Sequence, residues 1–292
     1  MDRRVFLGAG VAASLLGVVG GVQLATRSAS APGGGRGRGW VSLTPALTET
    51  VFALGAGASL IGRSTYCTLP PEAQRLPTAG TSLTPDLEAL ASLGPAGVIL
   101  EASAAAQIDR IARIAEVTAI PWLTLDDVVA GIAQLGRLFE AGARAHGLGE
   151  ALQRSLSADA PAEGPRALLV LAGDDLGRGP VWFIKRNSLH GAAAHGAGLR
   201  DAVQADVAGL PQLSIEDLIA LDPELILILS ASSVNDAARR RLLHAFDALT
   251  PLTAPAQGRV GLLAGPEVLS VGPSILRLPQ RLADEVARLG AG

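Results

Sequence analysis

Apolar positions in this chain follow two regular rhythms, and one stretch that carries both occurs twice. Residues 82–100 place Leu87, Leu90 and Leu93 at helical spacing, stop at Gly94-Pro95, and continue as the apolar run Val98-Ile99-Leu100. Residues 213–229 repeat the plan with Ile215, Leu218 and Leu221, then Pro223, then Leu225-Ile-Leu-Ile-Leu229. At an offset of 128 residues (216 − 88), Glu88 matches Glu216, Leu90 matches Leu218, Leu93 matches Leu221 and Pro95 matches Pro223. An apolar strand without alternation suits a parallel sheet buried on both faces, and a helix leading into it is half of a βαβ unit. Two such copies predict an α/β protein of two similar lobes, each with a central parallel sheet. A cleft between lobes is a preferred place for a small ligand.

The remaining pattern fills in both lobes. A strand is expected at 40–42 and a helix at 45–54, with Thr44 as N-cap and Pro45 in the first turn. A strand at 60–62 leads into the loop 64–71, and a helix at 107–117 precedes a strand at 121–125. Asp126 or Asp127 is expected to cap a longer helix carrying Val129, Ile132, Leu135 and Phe139 on one face. Gly147 and Gly149 are expected to break it, with a short helix at 150–156. Strands at 167–172 and 181–184, a helix start at Asn187-Ser188, and helices at 242–249 and 273–289 around a strand at 259–263 complete the chain. The expected division is a first lobe at 40–125, a bridging helical segment at 126–160 and a second lobe at 161–292.

The amino terminus follows a different logic. Arg3-Arg4 precede an uncharged apolar run at 5–22 and the small residues Ser28-Ala-Ser-Ala31, which reads as a twin-arginine export signal over 1–31. A retained membrane anchor is the alternative, since the run is just long enough to span. The Gly-rich segment 32–39 is a flexible tether. Removal of residues 1–31 leaves 261 residues (292 − 31) with 21 basic and 26 acidic side chains, a net charge of −5 (21 − 26). No basic patch points to nucleic acid. A single cysteine, Cys67, excludes an internal disulfide and a Cys-rich zinc site.

Chemistry-bearing residues are few. Gly55-Ala-Gly57 follows a helix rather than a strand, so the dinucleotide fingerprint fails on context, and neither a Gly-x-Ser-x-Gly nor a Gly-Lys-Ser/Thr motif occurs. His146, His190, His195 and His244 do not form a zinc pair, because His190 and His195 lie five apart on different helix faces. His190 still sits at a helix start facing the expected cleft. Tyr66 and Cys67 follow a strand end, where α/β proteins hold ligands, and an exposed thiol there is reactive or meets a metal centre. Lys185, Arg186 and Asn187 form a polar cluster beside a helix amino terminus. Glu88 and Glu216 present matched carboxylates, one per lobe, suited to paired basic groups on a two-fold symmetric partner.

Several segments resemble the iron/vitamin B12-type substrate-binding proteins of ABC importers, over about residues 40–290. Ser42-Leu-Thr-Pro-Ala-Leu-Thr-Glu49, Ile61-Gly62, Tyr66-Cys67 and Pro70-Pro71 resemble the opening of the B12-binding members. Pro211-Gln-Leu-Ser-Ile-Glu216-Asp-Leu, Asp222-Pro223 and Gly272-Pro-Ser-Ile-Leu276 resemble their second-lobe signature and closing helix. The resemblance implies Rossmann-like lobes joined by a single bridging α-helix, with a ligand cleft and limited closure. It implies that Glu88 and Glu216 contact arginines of the permease dimer. No catalytic residue and no metal ligand of the chain's own is implied, and the bound compound is cargo rather than a cofactor. Cleft contacts would come from Thr44, Pro45, Tyr66, Cys67, Thr81, Ser82, Glu101, Lys185, Arg186, Asn187, His190 and Leu210.

Departures from the family shape the choice of ligand. Leu210 stands where B12-binding members place an aromatic, Thr81 stands where heme-binding members often present a tyrosine, and the His-rich set of zinc and manganese members is absent. The connecting segment is shorter than the family's. A corrinoid, a ferric chelate and heme follow in that order. The protein is expected as an exported monomer in the periplasm or on the outer face of the cytoplasmic membrane, meeting the membrane only through its signal, an anchor or the permease. Two other readings remain: an exported cleft enzyme with Glu101 or Asp126 as acid/base, and a membrane-tethered sensor without a permease.

Overall fold

Two parallel sheets carry the repeated segments, and they carry them in equivalent places. The computed structural model describes residues 39–157, 159–207 and 210–290. The twin arginines, the apolar run and nearly all of the Gly-rich tether lie outside the described residues. The first half runs β1 (Trp40–Ser42), α1 (Pro45–Ala53), β2 (Leu60–Arg63), α2 (Leu87–Leu93), β3 (Gly97–Glu101), α3 (Ala105–Ile111) and β4 (Glu116–Ile120). Helices α4 (Leu125–Leu138) and α5 (Gly142–Leu156) follow. The second half runs β5 (Arg166–Leu171), β6 (Val181–Trp182), α6 (Leu189–Gly196), β7 (Arg200–Asp201), β8 (Gln212–Leu213), α7 (Ile215–Leu221) and β9 (Leu225–Ser230). It closes with α8 (Asp236–Leu243), α9 (Thr253–Ala256), β10 (Val260–Ala264) and α10 (Leu278–Arg288).

The sheets are ordered β2-β1-β3-β4 and β10-β9-β5-β7, with every pairing in them parallel. Leaving aside the short β6–β8 pair, each sheet reads second, first, third, fourth in the chain order of its own half. The sequence repeat supplies the third strand and its preceding helix in both, α2–β3 and α7–β9. The order of strands reverses beside β1 in one sheet and beside β5 in the other, and such a switch point opens a crevice at the strands' carboxyl ends.

Helices α2 and α7 begin and end alike. Asp86 accepts from the Ala89 amide at 2.9 Å and Ser214 from the Asp217 amide at 3.0 Å, satisfying first-turn donors. Both helices stop in a left-handed residue, Gly94 at φ 56° and Asp222 at φ 39°. A non-glycine there is strained. The Asp222 carboxylate offsets this by accepting from the Thr253 amide and hydroxyl, each at 2.7 Å, and those bonds hold its carboxyl below the usual range.

Three expectations about the first half need correcting. The strand placed at 121–125 is β4 instead, and the helix before it ends at Ile111. Val117, Thr118 and Ile120 are β-branched and pair along β3, whereas Pro121 has no N–H for a ladder, so the strand ends ahead of it. Thr124 caps α4, not Asp126 or Asp127. Its hydroxyl accepts from the Asp127 amide at 3.1 Å while the Asp127 carboxylate accepts from the Thr124 amide at 3.0 Å, a reciprocal box that lowers the Asp127 pKa. The connection between halves is a helix pair rather than one bridging helix. The break comes at residues 139–141, where Glu140 takes φ 54°, and Gly147 and Gly149 lie inside α5. Gly136 lets the pair touch closely, since a Cβ there would stand 2.4 Å from the Ala145 Cβ.

Alternation along the strands divides the apolar side chains between faces. Leu225, Leu227 and Leu229 of β9 join Leu169 of β5 in a central core, while Ile226, Ile228, Leu168 and Val170 pack on the outer side. The central core also takes Leu47 and Val51 of α1, Ile99 of β3, Ile132 and Leu135 of α4, Leu152 of α5 and Leu282 of α10. It therefore runs unbroken from one sheet to the other, and each fully buried leucine in it contributes about 2 kcal/mol. A hydrogen bond from Trp122 Nε1 to the Val271 carbonyl, 3.0 Å long, also crosses between halves. Among the described residues, no helix is long and apolar enough to cross a membrane.

Candidate ligand-binding cleft

The carboxyl ends of the two sheets face each other across a cavity of about 460 Å³. This size suits a small-molecule site. The first half contributes Pro45, Ala46 and Glu49 from α1, and Glu101 from the end of β3. The loop after β2 adds Thr65, Tyr66, Thr68 and Leu69. Across the gap stand Ala231 and Ser232 after β9, then Pro266, Leu269, Ser270 and Val271 after β10. Apolar surface predominates, with hydroxyls and two carboxylates set into it.

Local bonds fix these groups. The Arg63 guanidinium donates to the Ser64 carbonyl at 2.9 Å and the Thr65 carbonyl at 3.3 Å, and the Tyr66 amide donates to the Ser64 hydroxyl at 3.2 Å. The Tyr66 ring itself stands on the rim, 70 % exposed. Glu49 is buried, and its carboxylate accepts from the Ser270 hydroxyl at 2.8 Å and from the Ser274 amide. One α1 side chain thus holds the loop of the opposite half. Glu101 forms no ion pair among the described residues, and burial pushes its carboxyl pKa up.

Of the residues anticipated for ligand contact, Pro45, Tyr66 and Glu101 line this cavity. Cys67 does not. Its thiol is fully buried beside the Thr48 hydroxyl at 3.0 Å, and burial raises its pKa, so the expectation of an exposed, reactive thiol is corrected. Thr44 lies buried behind Pro45 with its hydroxyl unpartnered, and it gives α1 no side-chain cap. The Thr81 hydroxyl is engaged with Thr84 at 2.9 Å in a tight turn, and neither Thr81 nor Ser82 lines the cavity. Arg186 pairs with Asp206 at 3.0 Å, and it stands outside the lining with Lys185, Asn187 and the exposed Leu210.

His190 has a supporting place. It is buried, and its Nε2–H donates to the Val268 carbonyl at 3.1 Å, next to the lining residue Leu269. Burial lowers its pKa and keeps the ring neutral. Glu88 and Glu216 are both exposed on the first turns of α2 and α7, away from the cavity. Asp126 is exposed on the first turn of α4 and likewise outside it.

Sequence reasoning missed Glu49, Ser232 and the wall at 266–271. Glu49 already stood inside the motif 42–49. Carrying the repeat offset onward from β3 to the end of β9 would have pointed to Ala231 and Ser232. The loop after β10 has no periodic signal of its own.

A cavity set between the strand ends of two like sheets, walled by apolar surface with a few polar groups, defines a solute-binding protein built in two halves. Residues 41–265 match the family model described as periplasmic binding protein, and the chain belongs to that family. Its members are substrate-binding proteins of transporters rather than enzymes. The chain is 27 % identical over 258 residues to a cobalamin-binding protein of Halobacterium salinarum, covering 84 % of this chain and 68 % of that one. A periplasmic heme-binding protein from Pseudomonas aeruginosa superimposes with a TM-score of 0.66 at 26 % identity, over 86 % of this chain and 92 % of that one. The vitamin B12-binding protein BtuF of Vibrio cholerae shares the fold, with a TM-score of 0.67 at 18 % identity over 88 % and 99 % of the two chains.

Proposed function

We propose that this chain captures a bulky metal-containing compound between its two halves and delivers it to an ABC permease. A corrinoid is the first candidate, a ferric chelate the second and heme the third. The observation that carries this reading is the cavity at the facing strand ends, which is mostly apolar yet studded with hydroxyls, as a large ring or chelate with polar edges requires. The cobalamin-binding relative and the heme-binding structure both fall in this range of cargo. Pro45, Tyr66 and Glu101 are the direct contacts, with His190 holding the wall from behind. In this reading residues 40–125 and 161–292 act as the two lobes, 126–160 joins them, and residues 1–31 direct export by the twin-arginine route. Glu88 and Glu216, exposed at matching helix starts, dock to the permease dimer, and the protein works as a monomer.

A thermal-shift panel tests the reading. A cargo at a hundred times its Kd stabilises by about 2.7 kcal/mol, which for a chain of this size raises Tm by about 5–10 °C. At least one of cyanocobalamin, a ferric siderophore and hemin is expected to give such a shift. If none moves the transition at saturating concentration, the proposal fails.

A further inference from the structure

The charge pattern of the cleft narrows the cargo, on the footing that the cleft is the ligand site. Two carboxylates line the cavity, Glu49 and Glu101, and among the described residues no lysine, arginine or histidine lines it. Glu49 is engaged by neutral donors only, the Ser270 hydroxyl and the Ser274 amide. Glu101 forms neither an ion pair nor a side-chain hydrogen bond among the described residues, and it stands at the end of β3 beside the open space.

The nearby basic side chains stand outside this lining, and Arg277 meets the other side of Glu49 in a separate pocket with Pro273 and Ser274. Arg63 donates to the Ser64, Thr65 and Gln74 carbonyls, none of which is charged, and it does not line the cavity. Arg281 is paired with Glu267 and also donates to the Ala264 carbonyl at 3.1 Å. His190 is neutral and outside the lining. The amino end of α1, at Pro45 and Ala46, offers about half a positive charge, set against two acidic side chains in the lining.

We infer that the cleft selects neutral or cationic metal chelates and rejects anionic ones, with Glu101 as the residue that sets this preference. The apolar wall would accept many large rings or chelates. What separates them is the sign of the groups that must lie beside an unpaired, half-buried carboxylate. Heme brings two propionates, and a ferric tris-catecholate is a trianion. Neither finds a cation here to replace its hydration, and both face repulsion in surroundings that screen charge poorly. A corrinoid with amide side chains, a neutral ferric hydroxamate or a cationic one meets hydroxyls and carboxylates that accept its N–H groups.

Isothermal titration of the mature chain with five probes tests this: cyanocobalamin, ferrichrome and ferrioxamine B against hemin and ferric enterobactin. At least one of the first three is expected to bind at least about tenfold more tightly than either anion. Glu101→Gln should narrow that gap about tenfold by strengthening the anions, whereas Glu101→Asp should leave it in place. Thermal unfolding of each variant shows that it is folded. A second measurement needs no variant, since raising ionic strength should strengthen residual hemin binding to the wild type by screening the repulsion. Hemin or ferric enterobactin binding as tightly as the best neutral probe overturns the charge preference and leaves the cargo-binding proposal standing. So does an unchanged gap in a folded Glu101→Gln variant. Failure of all five probes overturns the cargo-binding proposal and the preference with it.

Discussion

Replacing Glu49 by alanine should unfasten one half of the cleft from the other. In the wild type its buried carboxylate accepts from the Ser270 hydroxyl at 2.8 Å and from the Ser274 amide, at the start of the turn Pro273–Arg277 that leads into α10. A hydrogen bond to a charged group is worth about 1.5–3 kcal/mol net, so losing two removes about 3–6 kcal/mol. Deleting the carboxylate also relieves the cost of burying it, which returns part of that sum. The expected net loss is about 3 kcal/mol, or a fall in Tm of about 6–12 °C for a domain of this size. Glu49→Gln retains an acceptor for the Ser274 amide and should lose about 1 kcal/mol. Calorimetry on the three proteins gives the comparison, and titration with a bound chelate should show weaker affinity for Glu49→Ala, because Leu269 and Val271 line the cavity from the loosened loop. A Tm for Glu49→Ala within about 1 °C of wild type would refute the reasoning, since it would mean that the bonds hold nothing together.

Other outcomes follow from single features. Burial raises the Glu101 pKa, so the folded chain holds that proton more tightly than the unfolded chain does. The group's contribution is complete below the ordinary carboxylate value and is lost as pH rises through the folded pKa. Glu101→Gln, uncharged throughout, should therefore gain about 1–2 °C on wild type between pH 4 and pH 8, and a constant difference in Tm across that range would contradict the assignment. Gly136→Ala should lower stability by about 1–3 kcal/mol, because its Cβ meets Ala145 at 2.4 Å. Gly147→Ala, with open space at its Cβ, should raise stability by about 0.5–1 kcal/mol. Urea midpoints of equal sign for the two would sink the packing argument. Reversing charge at Glu88 and Glu216 together should abolish stimulation of the cognate permease's ATPase in proteoliposomes while cargo affinity stays unchanged. Undiminished stimulation would remove these residues from the docking surface.

The fold was legible where periodicity spoke clearly. The match of Glu88 to Glu216 and of Pro95 to Pro223 anticipated two equivalent α–β segments, and the two sheets place them at the same third strand. Strand β4 was misplaced because Pro121-Trp-Leu-Thr-Leu125 looks apolar, while the missing N–H of Pro121 decided the boundary. Only Pro45, Tyr66 and Glu101 of the anticipated contacts line the cavity. They lie at strand ends and helix starts, which local pattern can locate. Cys67 and Thr44 sit in the same loops yet point inward, and side-chain direction in a loop follows from packing that no linear pattern records. Glu49 was missed for a related reason. Its partners Ser270 and Ser274 are more than two hundred residues away in the chain.

The unbroken core beneath both sheets has a consequence for cargo exchange. Halves that share buried leucines cannot swing apart like a freely jointed trap, so under the proposed function a guest would enter a berth that is already shaped. Little ordering is then required on arrival, and differences in grip among guests fall mainly on how slowly each departs. Emptying the berth becomes mechanical work. Under the proposed docking, a permease bearing on both halves would pass the strain it applies inward through the same leucines that keep the chain folded.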